Sequence, residues 1–396
     1  MAIAAVPSSY AQEKVRPEVG KPLQDAQNYL KARKYKEALG KLRDADAVAG
    51  KTPSEIYQIE WTRGNAALGA ADSETAIKAF EAVIASGKVQ GPTLVSIIDT
   101  LVKLHANTRD YASTLKWGNR YYKEGGTSPQ IRTQMIQAYF LSGDFANAAR
   151  ESLADVDADE KAGRPPNEEK LQLLANSYLR QKNNAGYAAT IEKLLNYYPK
   201  KSLWANVISG VQRKPGFSDR LSLDVYRLQL ATGNLINTND YMEMAQLSLQ
   251  GGYIVEGKKV ITDGFASGAL GKGAEAERHK RLKDLADKRD AEAKAANLTQ
   301  DETEANASKD GNALVSLGEK FVGNGQAAKG ISLIDAGIKK GSLRRPEDAK
   351  LHLGLAYLQS GQKGKGIQIL KTVQGNDGVA DLARLWIIFS QKNVTA

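Results

Sequence analysis

The chain has 396 residues, 42% of them apolar, a formal charge of +10 and no cysteine; disulfides, thiolate metal sites, thiol catalysis and a lipidated-cysteine anchor are therefore excluded. A length of this order ordinarily means roughly two or three globular domains, and no apolar run approaches the about eighteen residues needed to span a bilayer. The positive residues are interspersed with acidic ones, so the charge does not mark a nucleic-acid surface.

Residues 1–11, MAIAAVPSSYA, are apolar and small, unlike everything that follows. Ser9-Tyr10-Ala11 has the small-x-small form of a signal-peptidase site, with Gln12 as the new terminus. The basic start of such a signal is missing, so the segment reads as the tail of an export signal, and the expected location is periplasmic or secreted. Residues 12–21 read as a flexible N-terminus.

Residues 22–199 form an N-terminal array of helical hairpins. The first two cover 22–49 and 54–86, with Pro53-Ser54 marking a helix start; the third covers 92–123. Gly125-Gly126 and Ser128-Pro129 break the chain before the fourth. There, Gln130 to Leu153 carries two apolar helical stripes divided by the turn Ser142-Gly143-Asp144. Residues 155–167 read as a polar connection, closed by Pro165-Pro166, before the fifth.

Residues 200–273 hold degenerate hairpins: helices around 204–211 and 221–230, separated by Lys214-Pro215-Gly216, then a hairpin over 239–267. Residues 274–311 are a charged helix and a polar connection. Glu277–Arg281, Asp284–Lys288 and Asp290–Lys294 have the spacing that supports an exposed helix, and Thr299 with Glu302 reads as a capping box. Residues 312–396 give two further hairpins and a terminal helix that docks through Trp386, Ile387 and Phe389.

One arrangement recurs through these hairpins. Tyr29, Ala67, His105, Tyr139 and Tyr178 follow one another at 38, 38, 34 and 39 residues, and Phe321 and Tyr357 at 36. Small residues such as Ala26, Gly64, Ala175, Gly318 and Gly354 precede these positions. Nine residues after them come Ala38, Ala76, Ala148, Gly330 and Gly366, and then a large apolar residue such as Leu42, Phe80, Ile191, Ile334 or Leu370. Ala245, Ser248, Gly257 and Ile261 form a weaker copy, and His105 with Thr114 a weaker one still. Tyr187 falls where a small residue is expected.

The pattern resembles the tetratricopeptide repeat, a helix-turn-helix unit of about 34 residues, from roughly Pro22 to Val373. The resemblance implies an all-α, right-handed superhelical α-solenoid of about ten hairpins, each contacting only the pairs beside it. It also implies that first helices line a concave groove, with the residue after the small one facing in. Those residues are Gln27, Asn65, Lys103, Gln137, Asn176, Gln246 and Glu319, five of seven being side-chain amides. Amides can donate to and accept from the backbone of an extended peptide whatever its sequence, and Trp61, Phe140 and Leu179 are the expected apolar anchors. Trp61 before Asn65 and Gln172 before Asn176 replace the Lys of members that bind a terminal carboxylate, so that ligand is not implied.

Little else carries chemistry. His105, His279 and His352 lack metal-ligand spacing, and His105 takes a position where other repeats have an aromatic. Residues 268–273, GALGKG, lack the strand-to-helix setting and Lys-Ser/Thr ending of a phosphate loop. Glu151-Ser152 is similar to the Glu-Ser pair that opens the active site of helical lytic transglycosylases, but Leu153-Ala154-Asp155-Val156 follows it and no lysozyme-like domain is left over. The expectation is a non-enzymatic scaffold without metal or cofactor that binds a protein or extended peptide in the cell envelope. The alternatives are a structural spacer of an envelope assembly and, further off, a glycan-cleaving enzyme. The oligomeric state is not encoded in any of these features.

Overall fold

The computed structural model describes residues 15–295 and 298–391. The export remnant, the Gln12 terminus and the side chains of Lys294 and Thr299 lie outside the described residues. Among these there are twenty-one α-helices and no strand, so the fold is the expected all-α run of helical hairpins. Contacts divide it into two units, residues 1–187 and 188–396. The division falls inside a helix, earlier than the expected array boundary at residue 199.

The first unit holds α1 (Pro17–Lys31), α2 (Tyr35–Asp46), α3 (Pro53–Gly69), α4 (Ser73–Ala85), α5 (Gly91–Asn107), α6 (Tyr111–Lys123), α7 (Pro129–Leu141), α8 (Phe145–Lys161), α9 (Glu168–Arg180) and the start of α10 (Asn184–Tyr197). Local chemistry sets their ends. First helices α1, α3, α5 and α7 carry Pro in the first turn, where its missing N–H costs nothing. Thr52 and Glu55 close a capping box at α3. Second helices start on Asp72, Asp110 and Asp144, whose carboxylates accept the N–H of Thr75, Ser113 and Asn147 at 3.0–3.1 Å. One residue of the hairpin turn is left-handed: Arg33, Ala71, Arg109 and Lys182 at φ 58–62°, and Gly143 at 87°.

Two boundaries differ from expectation. The first helix begins at Pro17, not residue 22, because Arg16 is anchored: its backbone N–H and guanidinium both donate to the buried Glu55 carboxylate. Half of the supposed polar connection 155–167 is the end of α8. Its Val156 is fully buried, while Asp155 pairs with Arg132 and Lys170, and Asp159 with Arg164, so the carboxylates that looked like loop signals tie α8 to its neighbours.

The close approach of paired helices follows the repeat. A Cβ on Gly64 would lie 2.6 Å from the Phe80 ring, on Gly318 2.7 Å from Ile334, and on Gly354 2.6 Å from Leu370. Ala38, Ala76 and Ala148 are buried as the pattern requires. In the fifth hairpin the small residue against Tyr178 is Gly186, at 2.8 Å from its ring; the register is shifted by one, and Tyr187 does not fill that place.

The second unit holds α11 (Lys201–Gln212), a 3-10 turn (Asp219–Leu221), α12 (Ser222–Ala231), α13 (Thr238–Gln250), α14 (Ile254–Ala266), α15 (Ala276–Ala295), α16 (Leu298–Ala307), α17 (Asn312–Gly323), α18 (Ala327–Lys340), α19 (Pro346–Gln359), α20 (Lys363–Leu370) and α21 (Val379–Gln391). It departs from nearest-neighbour stacking. Trp204, Ile208, Leu221, Val225 and Leu228 share one apolar core with Leu351, Leu370, Leu382 and Ile388, so α11 and α12 pack against the last hairpin and α21. Phe389 meets Trp204 as well as Trp386. Arg220 locks the junction, with a two-point pair to Asp348 at 2.7 and 2.8 Å and a bond to Asp377 at 2.7 Å.

The charged helix α15 is also not simply exposed. His279, Leu282, Ala286 and Asp290 form a buried stripe, and Lys258 of α14 reaches Asp287 and Asp290. Its ion pairs include Lys283–Asp287 and Lys288–Glu292, in place of the Asp284–Lys288 pairing its spacing suggested.

Two substitutions test this packing. Gly318→Ala drives a Cβ into the Gly330 carbonyl and Ile334 and is expected to cost about 1–3 kcal/mol, read by urea unfolding. Ala71→Gly, at the left-handed turn, is expected to stabilise by up to about 1 kcal/mol; a loss there would contradict the turn geometry.

Candidate functional site

The expected groove residues divide between the units. Gln27, Asn65, Lys103, Gln137 and Asn176 are in the first, Gln246 and Glu319 in the second, and their surroundings differ. Gln137 on α7 and Asn176 on α9 are exposed. One turn beyond each stands a leucine in solvent: Leu141 is 59% exposed and Leu179 53%. Lys103 is exposed but pairs with Asp99 on its own helix. Gln27 and Asn65 are half-buried, and the Asn65 Nδ2 donates to the Trp61 carbonyl at 2.8 Å.

Trp61 is no anchor. It is 5% exposed and packs in the core with Tyr57, because α3 has a hairpin on each side and buries more than one face. Phe140 is half-buried, set edge-to-face on Phe145 at 5.3 Å, which holds it to its own hairpin. Gln246 lines a cleft of about 360 Å³ with Glu243, Gln250 and Arg278.

The remaining motif residues are buried or engaged within the fold. Glu151 pairs with Arg132 at 2.9 Å and Arg150 at 3.0 Å, and Ser152 is buried at the hairpin interface. His105 is buried near Asp110 and Glu81. His279 accepts the Gly271 N–H on Nδ1 at 3.0 Å, closing the glycine joint before α15. Among the described residues no group of His, Asp and Glu is disposed to hold a metal ion, and no helix is long and apolar enough to cross a membrane.

Glu319 belongs to an arrangement that sequence reasoning did not assemble. His352 on α19 sits between two carboxylates, Nδ1 2.6 Å from Glu319 Oε1 and Nε2 3.1 Å from both oxygens of Asp224. Asp224, on α12, also accepts from Arg227 Nη1 at 2.9 Å. The Arg227 guanidinium forks onto Glu256 of α14 at 2.8 and 2.7 Å and stacks on the Tyr253 ring at 4.7 Å. The Tyr253 hydroxyl returns to Glu319 Oε2 at 3.4 Å. The circuit therefore joins α12, α14, α17 and α19, and it borders a pocket of about 300 Å³.

Its electrostatics follow from burial and pairing together. Both ring nitrogens of His352 face carboxylate oxygens, so both must donate and the ring is an imidazolium. Burial alone would push its pKa down; Asp224 and Glu319 override this and raise it well above the ordinary value. Burial would likewise push the Asp224 carboxyl up, but His352 and Arg227 hold it below its usual range. Burial beside Glu319 raises the Tyr253 phenol, which stays protonated.

The available signals were the Asp224–Arg227 spacing of one helical turn and the separation of Glu319 from His352 by 33 residues, about one repeat. Neither reveals that α12 lies beside α19.

No protein-family model and no curated protein matches the chain. Solved structures to which it is similar are helical-repeat proteins. YrrB, a tetratricopeptide repeat protein with an unusual peptide-binding site, is 14% identical over 46% of this chain and 87% of its own, with a TM-score of 0.34. A tetratricopeptide repeat protein from Parabacteroides merdae is 11% identical over 84% of this chain and 98% of its own, at 0.31. A structure of Naa15/Naa10 bound to HypK is 14% identical over 90% of this chain and 58% of its own, at 0.36. The chain resembles the tetratricopeptide repeat class in its paired helices and in the small-residue contacts within its own hairpins.

The circuit predicts a pH dependence. A histidine pKa raised by folding adds stability that is fully present below the unfolded value of about 6.5 and is lost as pH rises through the folded value. His352→Gln is expected to cost about 3 kcal/mol at pH 6. The gap from wild type should narrow at alkaline pH in urea titrations, and a gap that widens with pH would contradict the imidazolium.

Proposed function

We propose that the chain is a non-enzymatic scaffold that binds an extended polypeptide across the first helices of residues 15–187, in the cell envelope. The observation that carries this reading is the repetition on α7 and α9 of an exposed amide followed one turn later by an exposed leucine. The amide can pair with peptide backbone irrespective of sequence, and the leucine offers apolar surface that gains from being covered, by about 25 cal/mol per Å². A polypeptide is favoured over nucleic acid because lysines of the most basic helix, such as Lys283 and Lys288, lie against its own carboxylates.

Catalysis at Glu151 is not part of the proposal, since its carboxylate is occupied by two guanidinium groups and Ser152 is packed away from solvent. The envelope location rests on the character of residues 1–11 alone. N-terminal sequencing of native protein is expected to find Gln12; Met1 intact on a cytoplasmic protein would sink that placement.

Partners are to be captured by crosslinking and pull-down from envelope extract, and their affinity measured. Gln137→Ala with Asn176→Ala removes bonds of about 1 kcal/mol each and is expected to weaken the complex several-fold with Tm unchanged. Adding Leu141→Ser and Leu179→Ser should abolish it. Intact affinity in the fourfold variant would make these side chains mere surface and leave the spacer reading in place.

A further inference from the structure

We propose that the pocket beside His352 is a binding site for a primary ammonium carried on an apolar stem, as a lysine side chain presents it. The site lies wholly within residues 188–396 and does not depend on the polypeptide groove proposed above.

The charge count points to a cation. Three carboxylates, Asp224, Glu256 and Glu319, converge here on two cations, Arg227 and His352. Each cation is already matched, Arg227 to Glu256 and Asp224, His352 to Asp224 and Glu319. The other basic residue of the lining, Lys259, stands at the mouth with its side chain 69% exposed and its Nζ 2.6 Å from Asp263 of its own helix. One negative charge is therefore left without a counter-ion in a partly desolvated place, where such a charge is costly. An anion would add to that excess; a cation cancels it.

Acceptor capacity is also left over. Glu319 Oε2 has the Tyr253 hydroxyl as its partner, at the long distance of 3.4 Å. A carboxylate oxygen carries two lone pairs, and the Tyr253 oxygen, having given its proton toward Glu319, can still accept. An ammonium brings three donors and no acceptor, which suits a surface of this kind. The raised pKa of the Tyr253 phenol keeps it in the neutral form this requires.

The rest of the lining suits a stem. Leu230, Val322, Ile334 and Leu355 supply apolar walls, Gly323 lets the Tyr253 ring pack close against α17, and Gly325 has open space beside it. The volume of about 300 Å³ is at the small end for ligand sites, the scale of one long side chain.

The test is ligand-observed NMR on the full chain at pH 7 with hexylamine against hexanol, and with acetyl-lysine methylamide against acetyl-norleucine methylamide. Each amine is expected to bind at least ~tenfold more tightly than its neutral counterpart, the scale of a charged hydrogen bond. Glu319→Gln should abolish most of that preference. Because this change also touches His352, a second variant leaves the ion circuit alone: Val255→Trp at the exposed mouth of the pocket should weaken amine binding with an unchanged Tm. Equal binding of amine and alcohol would overturn the proposal, and so would amine binding indifferent to Val255→Trp. Binding of hexylamine and the lysine amide alike supports a polypeptide lysine as the natural ligand, and binding of hexylamine alone supports the same site filled by a small free amine.

Discussion

Everything in this molecule depends on how closely two antiparallel helices can approach. Where Gly64 faces Phe80, Gly318 faces Ile334, or Gly354 faces Leu370, a single added carbon would sit well inside van der Waals distance. The missing side chain lets one helix rest on the other and lets the large residue fill the space between hairpins. An isolated hairpin cannot bury both of its faces, so each borrows surface from its neighbours. That is why α3, with a hairpin on each side, buries Tyr57, Ile59 and Trp61 together.

The second unit adds a constraint that simple stacking does not have. Its first helices α11 and α12 share a core with α19 and α21, so elements far apart in sequence are brought face to face, and Arg220 ties them with bonds to Asp348 and Asp377. Closure places charged residues where an open stack would leave them in water. Asp224, Arg227, Glu256, Glu319 and His352 become a continuous circuit with little solvent. Burying ions is unfavourable unless each is matched, and the matching here is nearly complete. The residual mismatch and the adjoining pocket distinguish this region from the ion pairs on α7, α8 and α9, where Arg132, Glu151, Asp155 and Lys170 balance one another at the surface.

The two candidate surfaces differ in kind. On α7 and α9 the amides and much of each leucine stand in water, so their chemistry is open to a partner. In the second unit the groups hold four helices together, so binding there would be coupled to the stability of the closure.

The linear pattern alone determined the helices, most of their ends, the hairpin turns at Gly143 and its equivalents, and the contact residues Ala38, Ala76, Ala148, Gly330 and Gly366. These depend on interactions within about one repeat, and a periodic sequence states them over and over. The same register leaves Gln137 and Asn176 at the surface but Gln27 and Asn65 half-buried, so exposure also depends on the neighbouring hairpin. Tertiary structure decided the rest. Trp61 entered the core because of the hairpin beside it, α8 ran on because its carboxylates found Arg132 and Lys170, and α15 docked through a stripe hidden among charges. Glu319 was assigned to an open groove by its register, yet its carboxylate meets His352 one repeat later and Asp224's circuit 95 positions earlier. Spacing reports what a residue's own helix does with it; which distant charge it meets is fixed only when the ends of the unit come together.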